Sequence, residues 1–252
     1  MKPNESTVRA FSIIEYLAQQ DDWVRLRALA RDLGLHPATA YRFLSSLKDL
    51  GYVKQDPEGT RYQLTLKLAW IASRALERTQ LRGVAHPWMK RLAAETNETT
   101  HLGVLDGDEV AYIDKVDSSQ PVEMRSRIGA RVHIHASALG KAIVAFLPER
   151  SRESIIEHWE PVGLTTNTIG NQAAFRQELG LVRSRGYAVD DEENEIGIRC
   201  IGAPIFDHTG SVVGALSVSG WTITMTPERI PQLAGSLRFT CAAVSQELGF
   251  RP

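Results

Sequence analysis

From Leu26 to Leu50 the apolar positions recur at helical spacing in two short runs separated by a glycine. Ala40, Phe43, Leu44, Leu47 and Leu50 fall on one stripe of a 3.6-residue helix, which predicts core. A shorter helix over Arg27–Leu33 precedes it, stopped by Gly34. Pro37 opens the second helix, where a missing backbone donor is tolerated. The opposite face of that helix carries Ala38, Thr39, Tyr41, Arg42, Ser45, Ser46 and Lys48, short hydrogen-bonding groups among long cations. The period then shortens. Tyr52–Gln55 and Arg61–Leu64 have strand character around the turn-forming Asp56-Pro57-Glu58-Gly59. An earlier helix, capped by Ser6 or Thr7 and ending near Gln20, should bury Val8, Phe11, Ile14 and Leu17.

Helix, glycine turn, helix and hairpin in this order predict a winged helix-turn-helix that contacts duplex DNA. Only the first part of such a recognition helix reaches base edges, which singles out Pro37, Ala38, Thr39, Tyr41 and Arg42. Arg42 suits a bidentate pair with guanine, Thr39 a base or phosphate, and Ala38 a thymine methyl. Lys54 and Arg61 flank the wing loop, where they suit phosphates. Arg27 and Ser46 complete the expected contact set. Any one of these cations, taken alone, is more often simply solvated; the ordered set outweighs that reading.

Past the wing, residues 66–97 stay helical in pattern, interrupted around Gly83–Pro87, and are expected to be a connector. From Thr99 the pattern becomes strand-like, and Asp106-Gly107 between apolar runs marks a hairpin. A second hairpin is expected where CIGAPIF and VVGALSVSG flank Asp207-His208-Thr209-Gly210. Helices are expected at about 138–146, 150–158, 175–185 and 227–248. Strands, then helices, then strands predict an α+β fold. The expected domains are 1–65, a linker over 66–97, and 98–252.

Composition narrows the class. Of 252 residues 43% are hydrophobic, enough for packed cores, and the net charge of −1 argues against coating nucleic acid by bulk attraction. Residues 1–75 hold 11 Lys or Arg against 8 Asp or Glu, net +3, and the remainder 18 against 22, net −4. A basic reader joined to an acidic body fits sequence-specific binding. Two cysteines, Cys200 and Cys241, make no disulfide framework, and neither a signal peptide nor a long apolar run is seen, so a cytoplasmic protein without membrane contact is expected. No CxxC or HxxxH spacing occurs, and neither metal nor cofactor is expected.

The run GYAVDDEENEIGIRCIGAPIFD, Gly186 to Asp207, is similar to the signature of the IclR family of bacterial transcriptional regulators. It carries Gly186, Asp190, Glu193, Cys200, Ile201, Gly202, Ile205, Phe206 and Asp207 without a gap. HASALGKAIVAFLP (residues 135–148) and YRFLSSLKDLGYV resemble two further family markers. YQLTLKLAWIASRAL, THLGVLDGDEVAYIDKVDS and MRSRIGAR resemble the subgroup that responds to 2-keto-3-deoxygluconate. The resemblance implies a winged helix-turn-helix followed by a GAF-like or profilin-like effector domain. It also implies dimers, often paired into tetramers, on a double-stranded DNA operator, released by a small organic acid. Carried over by position, the effector pocket would use Ala138 and Leu139, Asp190, Cys200, Ser217 and Ser219, with Met124, Val132 and Ile198 as apolar walls.

Elementary chemistry supports these positions to different degrees. A helix beginning near Ala138 offers unpaired amides to a carboxylate, although Ser137 capping that helix is the plainer account. Ser217 and Ser219 share one side of a strand and suit hydroxyl or keto oxygens; serines there are more often just solvated. Asp190 can accept from a polyol or merely form a turn. Cys200, with His133, His135 or His101 as base, leaves an enzyme acting on a keto acid open as the rival function. A winged domain serving protein contacts alone is a third reading. Trp221 stands where many relatives place proline, either closing the pocket or lying in an interface.

Overall fold

The computed structural model describes residues 4–71, 80–120 and 126–251. Contacts divide the chain into two units, Met1–Arg78 and Thr79–Pro252. Among the described residues no helix is long and apolar enough to cross a membrane.

In the first unit, helices α1 (Glu5–Ala18), α2 (Leu26–Asp32) and α3 (Pro37–Asp49) combine with strands β1 (Val24–Arg25), β2 (Val53–Gln55) and β3 (Arg61–Leu64). Gly34 takes φ +63°, a left-handed turn that side chains disfavour, and the chain turns there from α2 into α3. Pro37 occupies the first turn of α3 as expected. Ala40, Leu44 and Leu47 are buried with Leu29, Ala30, Val53 and Tyr62. Leu50, at the end of the stripe, is 59% exposed, because α3 stops one residue before it. The antiparallel sheet runs β1-β3-β2. β1, whose two residues are too few to show a period, had no sequence signal.

The first helix departs from expectation. Asn4, not Ser6 or Thr7, is the cap: its side chain accepts from the amides of both. Ile13 and Leu17 are buried, while Val8 and Phe11 stay 47% and 56% exposed. Ile14 and Leu17 pack in the core as expected, Ile13 joins them, and the first half of the helix lacks packing partners among the described residues.

The second unit holds a six-stranded antiparallel sheet in the order β6-β5-β4-β9-β8-β7. Its strands are β4 (Thr99–Asp106), β5 (Glu109–Val116), β6 (Arg131–His133), β7 (Ala188–Asp191), β8 (Ile198–Phe206) and β9 (Val212–Trp221). Both expected hairpins form, β4–β5 and β8–β9. Helices are α4 (Gln80–Thr96), α5 (Ala138–Ala145), α6 (Glu149–His158), α7 (Gln172–Arg185) and α8 (Ile230–Glu247). Phe175, Leu179 and Val182 of α7 pack against Leu139, Ala142 and Ile143 of α5 in one buried cluster. The α+β class is as the sequence predicts.

The stretch expected to be a connector divides. Residues 67–71 are helical in the first unit. Gln80–Thr96 forms α4 in the second, burying Leu81, Ala85, Met89, Leu92 and Ala93. Gly83 and Pro87 do not interrupt it. Proline removes one helical hydrogen bond, and the burial of residues on either side of it outweighs that loss.

Leu44→Ala should cost about 2–5 kcal/mol of stability, because the site is fully enclosed. Leu50→Ala should fall within about 0.5 kcal/mol of the parent. Urea unfolding of the two variants checks whether the packed stripe ends at Leu47.

Candidate functional site

Two regions concentrate chemistry. On the first, the outer face of α3, Pro37, Ala38, Tyr41, Arg42 and Ser46 are exposed and Thr39 half-buried. His36 caps the helix, its Nδ1 accepting from the Ala38 amide at 3.3 Å. Arg42 and Arg27 are exposed, and neither enters an ion pair among the described residues. Lys54 is exposed on β2 with its ammonium 5.2 Å from the Trp23 ring. The Ser46 hydroxyl donates to the Arg42 carbonyl at 3.0 Å, an internal bond that competes with any outward one.

Arg61 does more structural work than the sequence indicated. Its Nε donates to Asp56 at 2.8 Å, and the amides of Thr60 and Arg61 donate to the same carboxylate at 2.7 and 3.0 Å. Burial pushes Asp56 up, but the Arg61 guanidinium and these amides outweigh it and hold its pKa at about 2. Arg61 is thus first a brace for the wing turn. Lys48 ties α3 to the wing by donating to Gln55 at 3.0 Å.

The second region is a cavity of about 640 Å³ in the second unit. Strand register assembles its polar wall. Ser219 faces Cys200, which faces Asp190; one step along, His101 faces Ser217, which faces Gly202. Side chains two apart on a strand share a side, so these two rows lie together. The Ser217 and Ser219 hydroxyls are 3.4 Å apart, and each lies near His101 Nδ1, at 3.4 and 3.3 Å. His101 Nε2 is 2.6 Å from the Ser126 hydroxyl. Burial, with Lys115 adding to it, pushes the imidazole down to about 3, so it is neutral.

The start of α5 forms another wall. Ser137 caps it, its hydroxyl accepting from the Gly140 amide at 3.1 Å and donating to the His133 carbonyl at 2.8 Å. Ala138 and Leu139 therefore begin the helix with amides that have no intrahelical partner, and both line the cavity. This position depends on Gly202. A methyl there would sit 2.4 Å from the Ala138 carbonyl oxygen and 3.1 Å from the Leu139 nitrogen.

Asp190 is buried. Its Oδ1 accepts from the amides of Glu193 and Asn194 at 2.9 and 3.3 Å. Burial pushes its pKa up to about 7; Lys141 opposes the shift and Glu193 adds to it. Burial and the neighbouring Asp190 hold Cys200 well above the ordinary thiol range. Val132 and Ile198 supply apolar wall, as expected, and Trp221 stands at the end of β9 as part of the lining. Met124 lies outside the described residues.

Lys141 had no sequence signal, since one lysine in an amphipathic run is normally solvated. It is fully buried on α5. Its Nζ donates to the Val189 carbonyl and, at 2.5 Å, to Glu193, fixing the strand and loop that carry Asp190 and Asn194. Tyr112, Ser126, Asn194 and Glu195 also line the cavity without having been singled out.

The Cys200–His135 pairing that an enzyme would need does not form. The Trp159 indole donates to His135 Nδ1 at 3.1 Å, and His135 Nε2 donates to the Val162 carbonyl at 3.0 Å. The two nitrogens of His101 face serines, and the thiol is held protonated at neutral pH. Among the described residues no three His, Cys, Asp or Glu side chains are grouped to hold a metal ion.

Residues 6–57 match the model of the IclR helix-turn-helix domain, and residues 73–246 that of the bacterial transcriptional regulator IclR C-terminal domain. The chain is 36% identical to the HTH-type transcriptional regulator KdgR of Dickeya chrysanthemi, over 97% of this chain and 80% of that one. It is 32% identical to the HTH-type transcriptional regulator XynR of Escherichia coli, over 98% of each. The crystal structure of the Thermotoga maritima IclR is similar with a TM-score of 0.86 and 36% identity, covering 97% of this chain and 99% of that one.

Asp190 gives a pH test. Its folded value near 7 lies above the ordinary 3.8, so the stability it supplies is full below about pH 4 and is lost as pH rises through about 7. Asp190→Asn should flatten that fall, by at most about 1.4 kcal/mol per pH unit. Denaturant unfolding between about pH 4 and 8 checks it; identical pH profiles for variant and parent would contradict the assignment.

Proposed function

Because the chain belongs to the IclR family of bacterial transcriptional regulators, whose members bind DNA and are not enzymes, we propose that it is a repressor of a sugar-acid catabolic operon. Its effector is 2-keto-3-deoxygluconate or a related sugar acid. The observation that carries this reading is the cavity wall: two unpaired helix amides suited to a carboxylate, beside hydroxyl, imidazole and carboxyl groups suited to a polyol. The groups assigned to the effector are Ala138, Leu139, Asp190, Cys200, Ser217 and Ser219, with Val132, Ile198 and Met124 as apolar contacts. Those assigned to the operator are Arg27, Pro37, Ala38, Thr39, Tyr41, Arg42, Ser46 and Lys54, with Arg61 acting mainly through the wing.

In the proposed mechanism the chain works as a homodimer, paired further into a dimer of dimers. Half-sites on B-DNA recur about 34 Å apart, so a ligand that alters the spacing of two recognition helices mismatches both. A switch from 1:99 to 99:1 needs about 5.5 kcal/mol of differential affinity. Several subunits, each binding one small acid, reach that figure more readily than one.

Arg42→Ala should cost about 1–3 kcal/mol and relax preference at one operator position, read by gel shifts over a set of operator variants. An unchanged profile would remove Arg42 from base reading. Saturating 2-keto-3-deoxygluconate should lower operator occupancy, and Ser217→Ala or Asp190→Ala should blunt that response. Operator occupancy indifferent to a panel of sugar acids would overturn the effector class.

A further inference from the structure

The row of side chains that carries Ser217 and Ser219 into the cavity ends in an aromatic ring, because Trp221 lies two residues beyond Ser219 and so on the same side of the strand. Trp221 closes β9, opposite Ile198 of β8. Its backbone is pinned: the carbonyl accepts from the amides of Thr224 and Met225 at 2.9 and 2.8 Å, and the next amide, of Thr222, donates to Gly197 at 2.9 Å. The ring packs over Gly197, within 3.8 Å of where a side chain on that residue would begin. Gly197 belongs to the loop that brings Asn194 and Glu195 to the cavity. The indole remains 37% exposed, and its neighbours Ile196 and Ile223 are 71% and 82% exposed. A large aromatic thus stands in the wall of a polar cavity without being part of the packed core. No hydrogen bond to its indole nitrogen occurs among the described residues.

We propose that Trp221 is the specificity determinant of this cavity: the carbon face of a ring-closed sugar acid stacks on its indole, so cyclic acids are selected over open-chain acids of equal charge. The inference rests on the sugar-acid reading above and adds the form of the ligand. A ring-closed acid is amphipathic, with hydroxyls at its edge and C–H groups on a face. Ser126, Ser217, Ser219, His101 and Asp190 meet the edge; Trp221, with Ile198 and Leu139, meets the face. An open-chain acid has no flat face to offer. Removing the indole leaves the C–H face of the ligand unburied, which weakens binding by roughly tenfold.

The test uses the full chain, with D-galacturonate as the ring-closed probe and D-galactonate as the open-chain one, titrated by calorimetry. The parent should bind galacturonate about tenfold more tightly. Trp221→Ala should abolish that preference, with galactonate affinity changing less than about threefold, and Trp221→Phe should keep most of it. Melting temperatures of the variants should match the parent, which separates this role from a structural one. The chain has five tryptophans, so ligand-induced quenching is read as the difference between parent and Trp221→Phe emission. Equal affinity of the parent for both probes, or a Trp221→Ala variant that keeps the preference, overturns the inference and leaves the sugar-acid reading standing. Binding of neither probe nor of 2-keto-3-deoxygluconate, or tighter binding of benzoate than of all three, removes the sugar-acid reading and this inference together.

Discussion

The second unit is organised by one close approach. The first turn of α5 lies on β8 at a distance that leaves no room for even a methyl group on Gly202. That contact aims the free amides of Ala138 and Leu139 at the same space as the Asp190–Cys200–Ser219 and His101–Ser217 rows. Strand register alone would build a polar patch. The helix seated on it makes the patch a cavity, and it brings partial positive charge to that cavity's wall.

The same helix sets the electrostatics. Lys141, on the second turn of α5, is buried against Glu193 and the Val189 carbonyl, with Glu178 3.9 Å away. Breaking such a pair from one side leaves an uncompensated charge, which is far more costly than never having the pair. A single ammonium therefore couples the helix to the strand and loop that carry Asp190. Asp190, His101 and Cys200 all sit where the neutral form is favoured, because burial dominates each of them.

Much of this was legible in the sequence because it follows from period and punctuation. The helical stripe through Ala40, Leu44 and Leu47, the turn at Gly34, the proline opening α3 and the two hairpins are all local statements that packing did not override. Eight of the residues carried over from the family pattern line the cavity: Val132, Ala138, Leu139, Asp190, Ile198, Cys200, Ser217 and Ser219. What was hidden depends on distant partners. Val8 and Phe11 of α1 looked buried because the period continues through them, whereas the packing partners that cover Ile13, Ile14 and Leu17 come from other elements and reach only the second half of the helix. Lys141 was invisible because its acceptors lie about fifty residues away. Arg61 looked like a free cation because its hold on Asp56 is made only once the wing closes. Pro87 looked like a break because burial on both its sides cannot be counted from the local pattern.

The tightness of the α5–β8 contact has a consequence for divergence. A side chain cannot be added at Gly202 without pushing α5 away, so the seat of its first turn and the amide cradle are held nearly constant. The far end of the cavity wall is different: Trp221 is part of the lining yet 37% exposed, outside the packed core. Descendants of this chain are thus free to change which metabolite they sense by editing side chains at that end, while the part that grips the acid group is inherited unaltered.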